Sequence, residues 1–230
     1  MKIHTQTRKK GFLITAIVFL VLFFLVTLIT SGNTGFLIDE AVIFWAESIT
    51  SDVLLTFMRF VSVLGSSELI LLVTVAIGLV LLIKRQWRNF FFFFTVSVGG
   101  VIVNFALKVL IKRERPGDEV SYIEAFNVQL EVQSYSFPSG HTMRATILLL
   151  FLMYLTYLFV SNQLVKVGSY VVYTVLLLLI ALSRVILEAH FITDVVGALF
   201  VATGWFFLIL YLFHKEERAM FSFQSRRFRF

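Results

Sequence analysis

A chain of 230 residues that is 59% hydrophobic and 15% charged, with a mean hydropathy of +0.91, is far more apolar than a soluble domain, where roughly 45 to 50% of residues are apolar. It contains no cysteine, which excludes disulfides, thiolate metal sites and cysteine nucleophiles. The net charge of +6 and pI near 9.7 would suit a nucleic-acid partner in a soluble protein, so the distribution of that charge has to decide.

After a basic "RKK" the chain runs uncharged from Gly11 to Thr30, and at about 1.5 Å per residue this run spans the roughly 30 Å hydrocarbon core of a bilayer. It is too long for the apolar region of a signal peptide, and the following "TSGNTG" lacks a small-x-small cleavage site, so a retained anchor helix is expected. "VLLTFMRFVSVL" (Val53 to Leu64) is too short to cross and is expected to lie at the interface or tuck against the bundle before Gly65 turns the chain. Further spans are expected over Leu64 to Ile83, Phe90 to Ile111, His141 to Val160, Leu164 to Leu187 and Phe191 to Phe213, six in all. Each is taken as a helix, because backbone groups in lipid must be satisfied within their own segment. The expectation is an all-α, polytopic membrane protein with one membrane-embedded domain over 1–230, its core at 53–213 and a short cytoplasmic tail at 214–230. "FFFFF" (Phe90 to Phe94) reads as lipid-facing or packing bulk, and the terminal "SRRFRF" as a solvated end or a contact to anionic headgroups.

Orientation follows from Lys and Arg. With the N-terminus inside, residues 1–10, 84–89, 161–166 and the tail after Phe213 carry 13 of the 20 Lys and Arg but 2 of the 14 acids. Both termini are therefore expected to be cytoplasmic. The basicity is mostly an orientation signal, and a nucleic-acid partner loses its support.

Some cations break that pattern. Lys108, Lys112, Arg113 and Arg115 cluster where a span exits on the outer side. Lys108 lies within the apolar run, where a cation costs about 2.5 to 3.5 kcal/mol at helix centre; it is either functional or a snorkelling lysine. The next span opens with "SFPSGHTMRAT", and the two prolines of the chain, Pro116 and Pro138, bracket the loop between. Pro138, Ser139, Gly140 and His141 read as a helix N-terminus whose free N–H groups suit an anion; a plain capped helix start with Ser139 as cap reads equally well.

Parity of crossing places Arg184, at the end of the fifth span, and His190, at the start of the sixth, on the same side as Lys108, Arg115 and His141. His190 and Asp194 stand at i, i+4, so one helix face lets the carboxylate fix the imidazole tautomer. Two histidines and a carboxylate could instead hold a divalent metal, but Lys108, Arg115 and Arg184 would crowd it with like charge. The cluster favours an anion; a tetrahedral phosphate can be held by Arg forks, a Lys point charge and helix N–H groups while an oriented imidazole attacks in line and a second histidine protonates the leaving alkoxide.

These residues carry a resemblance. "KVLIKRERP" (Lys108 to Pro116), "PSGH" (Pro138 to His141) and "SRVILEAHFITD" (Ser183 to Asp194) resemble, in order and spacing, the three motifs Kx6RP, PSGH and SRx5Hx3D of the type-2 phosphatidic acid phosphatase superfamily, and the six-span layout resembles its bacterial integral-membrane lipid phosphatases. The resemblance implies that His190 is the nucleophile forming a phosphohistidine, that Asp194 orients it, and that His141 is the general acid for the departing lipid alcohol and later the base for water. It implies that Lys108, Arg115, Ser139, Gly140 and Arg184 bind the phosphoryl oxygens, and that catalysis needs no metal or other cofactor. The implied function is hydrolysis of a membrane lipid phosphate or pyrophosphate, such as phosphatidylglycerophosphate, phosphatidic acid or undecaprenyl pyrophosphate, at the outer face of the cytoplasmic membrane. The bilayer and its lipid are the implied partners; oligomeric state is left open.

Departures from the family pattern are Glu188, where a small residue is common, Ile192 in place of Pro, and Arg144 in place of Asn; they bear on specificity more than on chemistry. The competing reading, a non-catalytic lipid-phosphate carrier, uses the same basic site but has no need of a His–Asp pair and a second histidine. Soluble haloperoxidases that share the motifs are disfavoured by the six spans, and sugar phosphatases by the short outer loops.

Overall fold

In the computed structural model the described residues are 2–30, 37–49, 51–116, 121–125, 128–132 and 135–227. The chain forms α1 (Lys2–Thr30), α2 (Leu37–Glu47), α3 (Asp52–Leu64), α4 (Ser67–Ile83), α5 (Trp87–Ile111), a hairpin of β1 (Ser121–Ala125) and β2 (Val128–Val132), then α6 (Gly140–Phe159), α7 (Gln163–Ile186) and α8 (Ile192–Arg227). Six stretches are long and apolar enough to cross a membrane: Lys9–Thr30, Asp52–Ile83, Trp87–Ile111, Gly140–Phe159, Gln163–Ile186 and Ile192–Phe213. The expected spans thus hold to within a few residues, except that α3 and α4 together form the second apolar stretch. α3 packs against α7, and the chain turns at Gly65 before Ser66 caps α4 by accepting from Leu69 N–H at 3.2 Å.

The bundle is inverted relative to a soluble fold. Its outer faces are apolar, with Ile14, Phe24, Leu72, Ile102 and Val172 all exposed, as lipid demands. Its interior is built around α6 and α8, half of whose spanning residues are buried, and includes Phe92, Phe93, Met143, Phe151 and Phe206. Phe93 stacks on Phe151 at a ring separation of 4.1 Å. The phenylalanine run therefore divides: Phe92 and Phe93 point inward, while Phe91 and Phe94 are exposed on the lipid side.

Two further features differ from the simplest expectation. The loop between α5 and α6 carries an antiparallel hairpin, pairing Ser121 with Val132 and Ala125 with Val128; the alternating "VQLEV" is its period-2 signature. The backbone of α8 continues past Phe213 to Arg227, so much of the expected tail is helix; residues 228–230 lie outside the described residues.

Candidate active site

Four helix ends meet at one level of the bundle: the C-termini of α5 and α7 and the N-termini of α6 and α8. The chain alternates direction with each crossing, which is why segments far apart in sequence converge there. A short α2 joins them from the N-terminal third of the chain, packing against α7 and α8.

His190 sits in the turn between α7 and α8, 2% exposed. Its N–H donates to the carbonyl of Arg184 at 3.1 Å. The side chain faces Asp194, the fully buried residue in the first turn of α8, with Nδ1 at 3.5 Å from Oδ2. Ser136 completes the arrangement: its hydroxyl donates to Asp194 Oδ2, and its oxygen lies 3.3 Å from His190 Nδ1. With the proton on Nδ1 shared between Ser136 and Asp194, Nε2 keeps its lone pair. Burial pushes the His190 pKa down to about 4, helped by the charges of Arg115 and Lys108 and opposed by Asp194, so the ring is neutral at pH 7.

Of the other expected site residues, Arg115, Lys108 and His141 lie within electrostatic range of this ring. The last turn of α5 carries Lys108, whose ammonium donates to the carbonyls of Tyr135 and Ser136, the latter at 3.4 Å; its charge reaches both Arg115 and Asp194. Arg184, in the last turn of α7, donates from Nη1 to Ser62 Oγ of α3 at 2.5 Å. The PSGH turn is held from both sides: Asn104 Nδ2 donates to the Pro138 carbonyl at 3.1 Å, and Ser139 N–H donates to the Asp194 carbonyl at 3.1 Å. Ser139 occupies the N-cap position of α6, but its side chain makes no capping bond; its hydroxyl accepts from Thr142 at 3.1 Å instead. Phe137, fully buried, wedges against α8 where a Cβ on Gly197 would stand 2.6 Å from its ring. His141 opens α6, half-buried, within electrostatic range of Arg184, Arg144, His190 and Arg115. Glu188 faces away, exposed in a left-handed turn residue with φ 53°.

Sequence reasoning missed three contributors. Arg113, in sequence one of the outward cations, is buried between two fully buried carboxylates, donating from Nη1 to Asp194 Oδ1 at 2.6 Å and from Nη2 to Asp39 Oδ2 at 2.7 Å. Asp39, in the first turn of α2, also accepts from Thr193 N–H at 3.0 Å and from the Thr193 hydroxyl at 2.7 Å. Asp39 and Glu40 both stand in the first turn of α2, and nothing in the sequence singles out Asp39. The third is Ser136, for which the sequence offers no periodic cue.

Among the described residues no group of three His, Asp or Glu side chains is placed to hold a metal ion; Asp194 spends its oxygens on Arg113, Ser136 and the Phe191 N–H at 2.9 Å. The arrangement presents a neutral, oriented imidazole among fixed cations and helix N–H groups, which is the chemistry of holding a tetrahedral oxyanion against a nucleophile.

A family model described as the PAP2 superfamily matches residues 88–218. Over 176 residues, 74% of this chain and 81% of the relative, the sequence is 31% identical to phosphatidylglycerophosphatase B of Bacillus subtilis (strain 168). The crystal structure of the first transmembrane PAP2 type phosphatidylglycerolphosphate phosphatase from Bacillus subtilis superposes with a TM-score of 0.69 at 26% identity, covering 94% of this chain and 98% of that one. Aquifex aeolicus LpxE shares the fold at a TM-score of 0.56 and 19% identity, covering 77% and 97% of the two chains. Residues 108–194 of the site fall within the matched range, whereas Asp39 and Ser62 precede it.

Proposed function

From the premise that this chain is a multi-pass membrane protein belonging to the PAP2 superfamily, we propose that it is a metal-independent lipid phosphatase working through a phosphohistidine. The observation that carries the reading is the buried His190 ring, held through Nδ1 by Asp194 and Ser136 and lying within range of the charges of Arg115 and Lys108. In the first step Nε2 forms a bond to phosphorus while the bond from phosphorus to the lipid oxygen breaks, and His141 gives that oxygen its proton. In the second step His141 removes a proton from water, the water oxygen bonds to phosphorus, and the N–P bond breaks to release phosphate and restore His190. Lys108, Arg115, Arg184, Ser139 and the Gly140 N–H hold the phosphoryl oxygens and stabilise charge that grows on them in the transition state. Asp194 supports the imidazolium that forms when phosphorus is bound.

The substrate class is a lipid phosphomonoester or pyrophosphate: phosphatidylglycerophosphate, phosphatidic acid or undecaprenyl pyrophosphate. The excess of Lys and Arg in the segments assigned inside supports a site facing the outer side of the cytoplasmic membrane. The test is phosphate release from these lipids by the purified protein in detergent with chelator present, alongside trapping of a labelled phosphoryl group. Release and a label on residue 190, both lost in His190→Ala, are expected. A carrier would bind the lipid without forming the adduct, and activity surviving in His190→Ala would overturn the mechanism.

A further inference from the structure

Arg144 has no part in the mechanism above. It follows His141 by three residues on the same face of α6. Its Nη2 donates to Ser67 Oγ of α4 at 2.8 Å, while its Nε is buried with no hydrogen-bond partner among the described residues. Glu68 influences it through its charge, but no carboxylate forms an ion pair with it among the described residues. A guanidinium stays charged at any pH a protein survives, and half-burying this one with no ion-pair partner among the described residues carries a desolvation cost. A side chain kept in that state is suited to receive an anion.

Its surroundings say which way the anion lies. On one side the guanidinium leans against the PSGH turn, where a Cβ on Gly140 would stand 3.3 Å from Nη1. On the other it lines a cavity of about 270 Å³ between α4, α5 and α6, whose walls include Ile70, Leu71, Val98, Val101, Ile147 and Leu148. Arg144 is the charged member of that otherwise apolar and hydroxyl-bearing lining. Leu71 is exposed on the outer face of α4, so the groove opens toward lipid. The guanidinium therefore stands between the PSGH turn and the apolar groove.

We propose that Arg144 is a second anion subsite, on the lipid side of the phosphoryl site, and that it holds a second phosphate lying between the transferred phosphoryl group and an apolar tail seated in the α4–α5–α6 groove. The ligand class is a lipid with two phosphates in series, either bonded directly as a diphosphate or spaced as a phosphomonoester on a phosphodiester headgroup. A lipid with a single phosphate leaves the half-buried guanidinium without an anion, and binds its transition state less well by the worth of a charge-assisted hydrogen bond. The proposal rests on the phosphatase reading for the identity of the first site.

The test compares kcat/KM for phosphate release within two matched pairs: a polyprenyl diphosphate against the monophosphate of the same tail, and phosphatidylglycerophosphate against phosphatidic acid with the same acyl chains. In Arg144→Gln the preference for the two-phosphate member is expected to fall about 30-fold, equivalent to about 2 kcal/mol, in at least one pair. Arg144→Lys, which keeps the charge without the fork, lowers it by a smaller factor and serves alone if Arg144→Gln does not fold. The responding pair identifies whether the second phosphate is bonded directly or spaced by glycerol. Preferences unchanged in both pairs, with all lipids affected alike, overturn the proposal. If the wild-type protein hydrolyses none of the four lipids, the phosphatase reading fails separately, and protection against thermal unfolding by methylenediphosphonate relative to inorganic phosphate decides the subsite. A diphosphonate advantage lost on substituting Arg144 supports it, and no advantage in the wild type overturns it.

Discussion

Asp39 and Arg113 are expected to act as one unit on the carboxylate of Asp194, and Asp39→Asn is the perturbation that exposes this. Asp39 is fully buried and accepts three hydrogen bonds, from Arg113 Nη2 at 2.7 Å, the Thr193 hydroxyl at 2.7 Å and the Thr193 N–H at 3.0 Å. Asparagine keeps the shape and one acceptor but turns an NH₂ toward Arg113 and removes the charge. Breaking a buried ion pair from one side costs about 3 to 5 kcal/mol. Arg113 retains Asp194 at 2.6 Å, so the loss belongs at the lower end, about 3 kcal/mol. Arg113→Met strands two buried carboxylates and belongs near the upper end, about 5 kcal/mol. The double variant leaves fewer unmatched charges than the two single variants taken together, so the coupling energy is expected to be about 2 to 3 kcal/mol, within the range for contacting residues. Reversible unfolding in mixed micelles measures the four stabilities of the cycle. A coupling below about 0.5 kcal/mol refutes the reasoning, because the two side chains would then be independent despite their contact. In the phosphatase reading, kcat for Asp39→Asn falls with KM little changed, since Arg113 draws harder on the oxygen of Asp194 once its second partner is gone.

Replacing His141 by Ala is expected to lower kcat about 10²- to 10⁴-fold on lipid substrates and far less on an aryl phosphate whose leaving group needs no proton; equal losses on both would remove His141 from the acid role. The folded pKa of His190, about 4, lies below the unfolded value of about 6.5. Between those values the unfolded chain binds more protons, so stability is full above about pH 6.5 and falls as pH drops toward about 4. Unfolding measured across that window shows a slope that His190→Gln reduces, and an unaltered slope contradicts the burial argument. Gly197→Ala places a Cβ 2.6 Å from the ring of the fully buried Phe137; overpacking of this kind costs about 1 to 3 kcal/mol and displaces the neighbouring Ser136 and Pro138. A lowered unfolding midpoint together with reduced phosphate release is expected, and a variant matching the wild type in both rules out the wedge.

The elements legible in the sequence were those set by local rules. Lipid requires long uncharged helices, so Gly11 to Thr30 and the later runs declared themselves; the spacing of His190 and Asp194 pointed to a pair, but not on the shared helix face expected, because His190 lies in the turn before α8 and only Asp194 is helical. The phenylalanine run shows where local rules stop: five identical side chains carry no sign of which pair, Phe92 and Phe93, turns inward. The paired strands at 121–125 and 128–132 were legible in principle from alternation, but five-residue strands in a loop carry a far weaker signal than the apolar runs beside them. Ser136 and Asp39 were not legible, because a lone serine or aspartate acquires meaning from the partner it meets.

The sequence by itself determined how often the chain crosses the membrane, which helix ends share a level, and which residue types are available there, because each of these depends on hydrophobicity and spacing along one segment. Only the tertiary structure decided which cations meet a carboxylate within the protein and which do not. Arg113 meets Asp39 and Asp194 across 74 and 81 residues of chain, while Arg144 stops against Ser67 with its Nε unpartnered among the described residues. All arginines carry the same charge in sequence; what that charge does depends on whether folding brings a carboxylate within hydrogen-bond reach in a medium where an unpaired ion is costly.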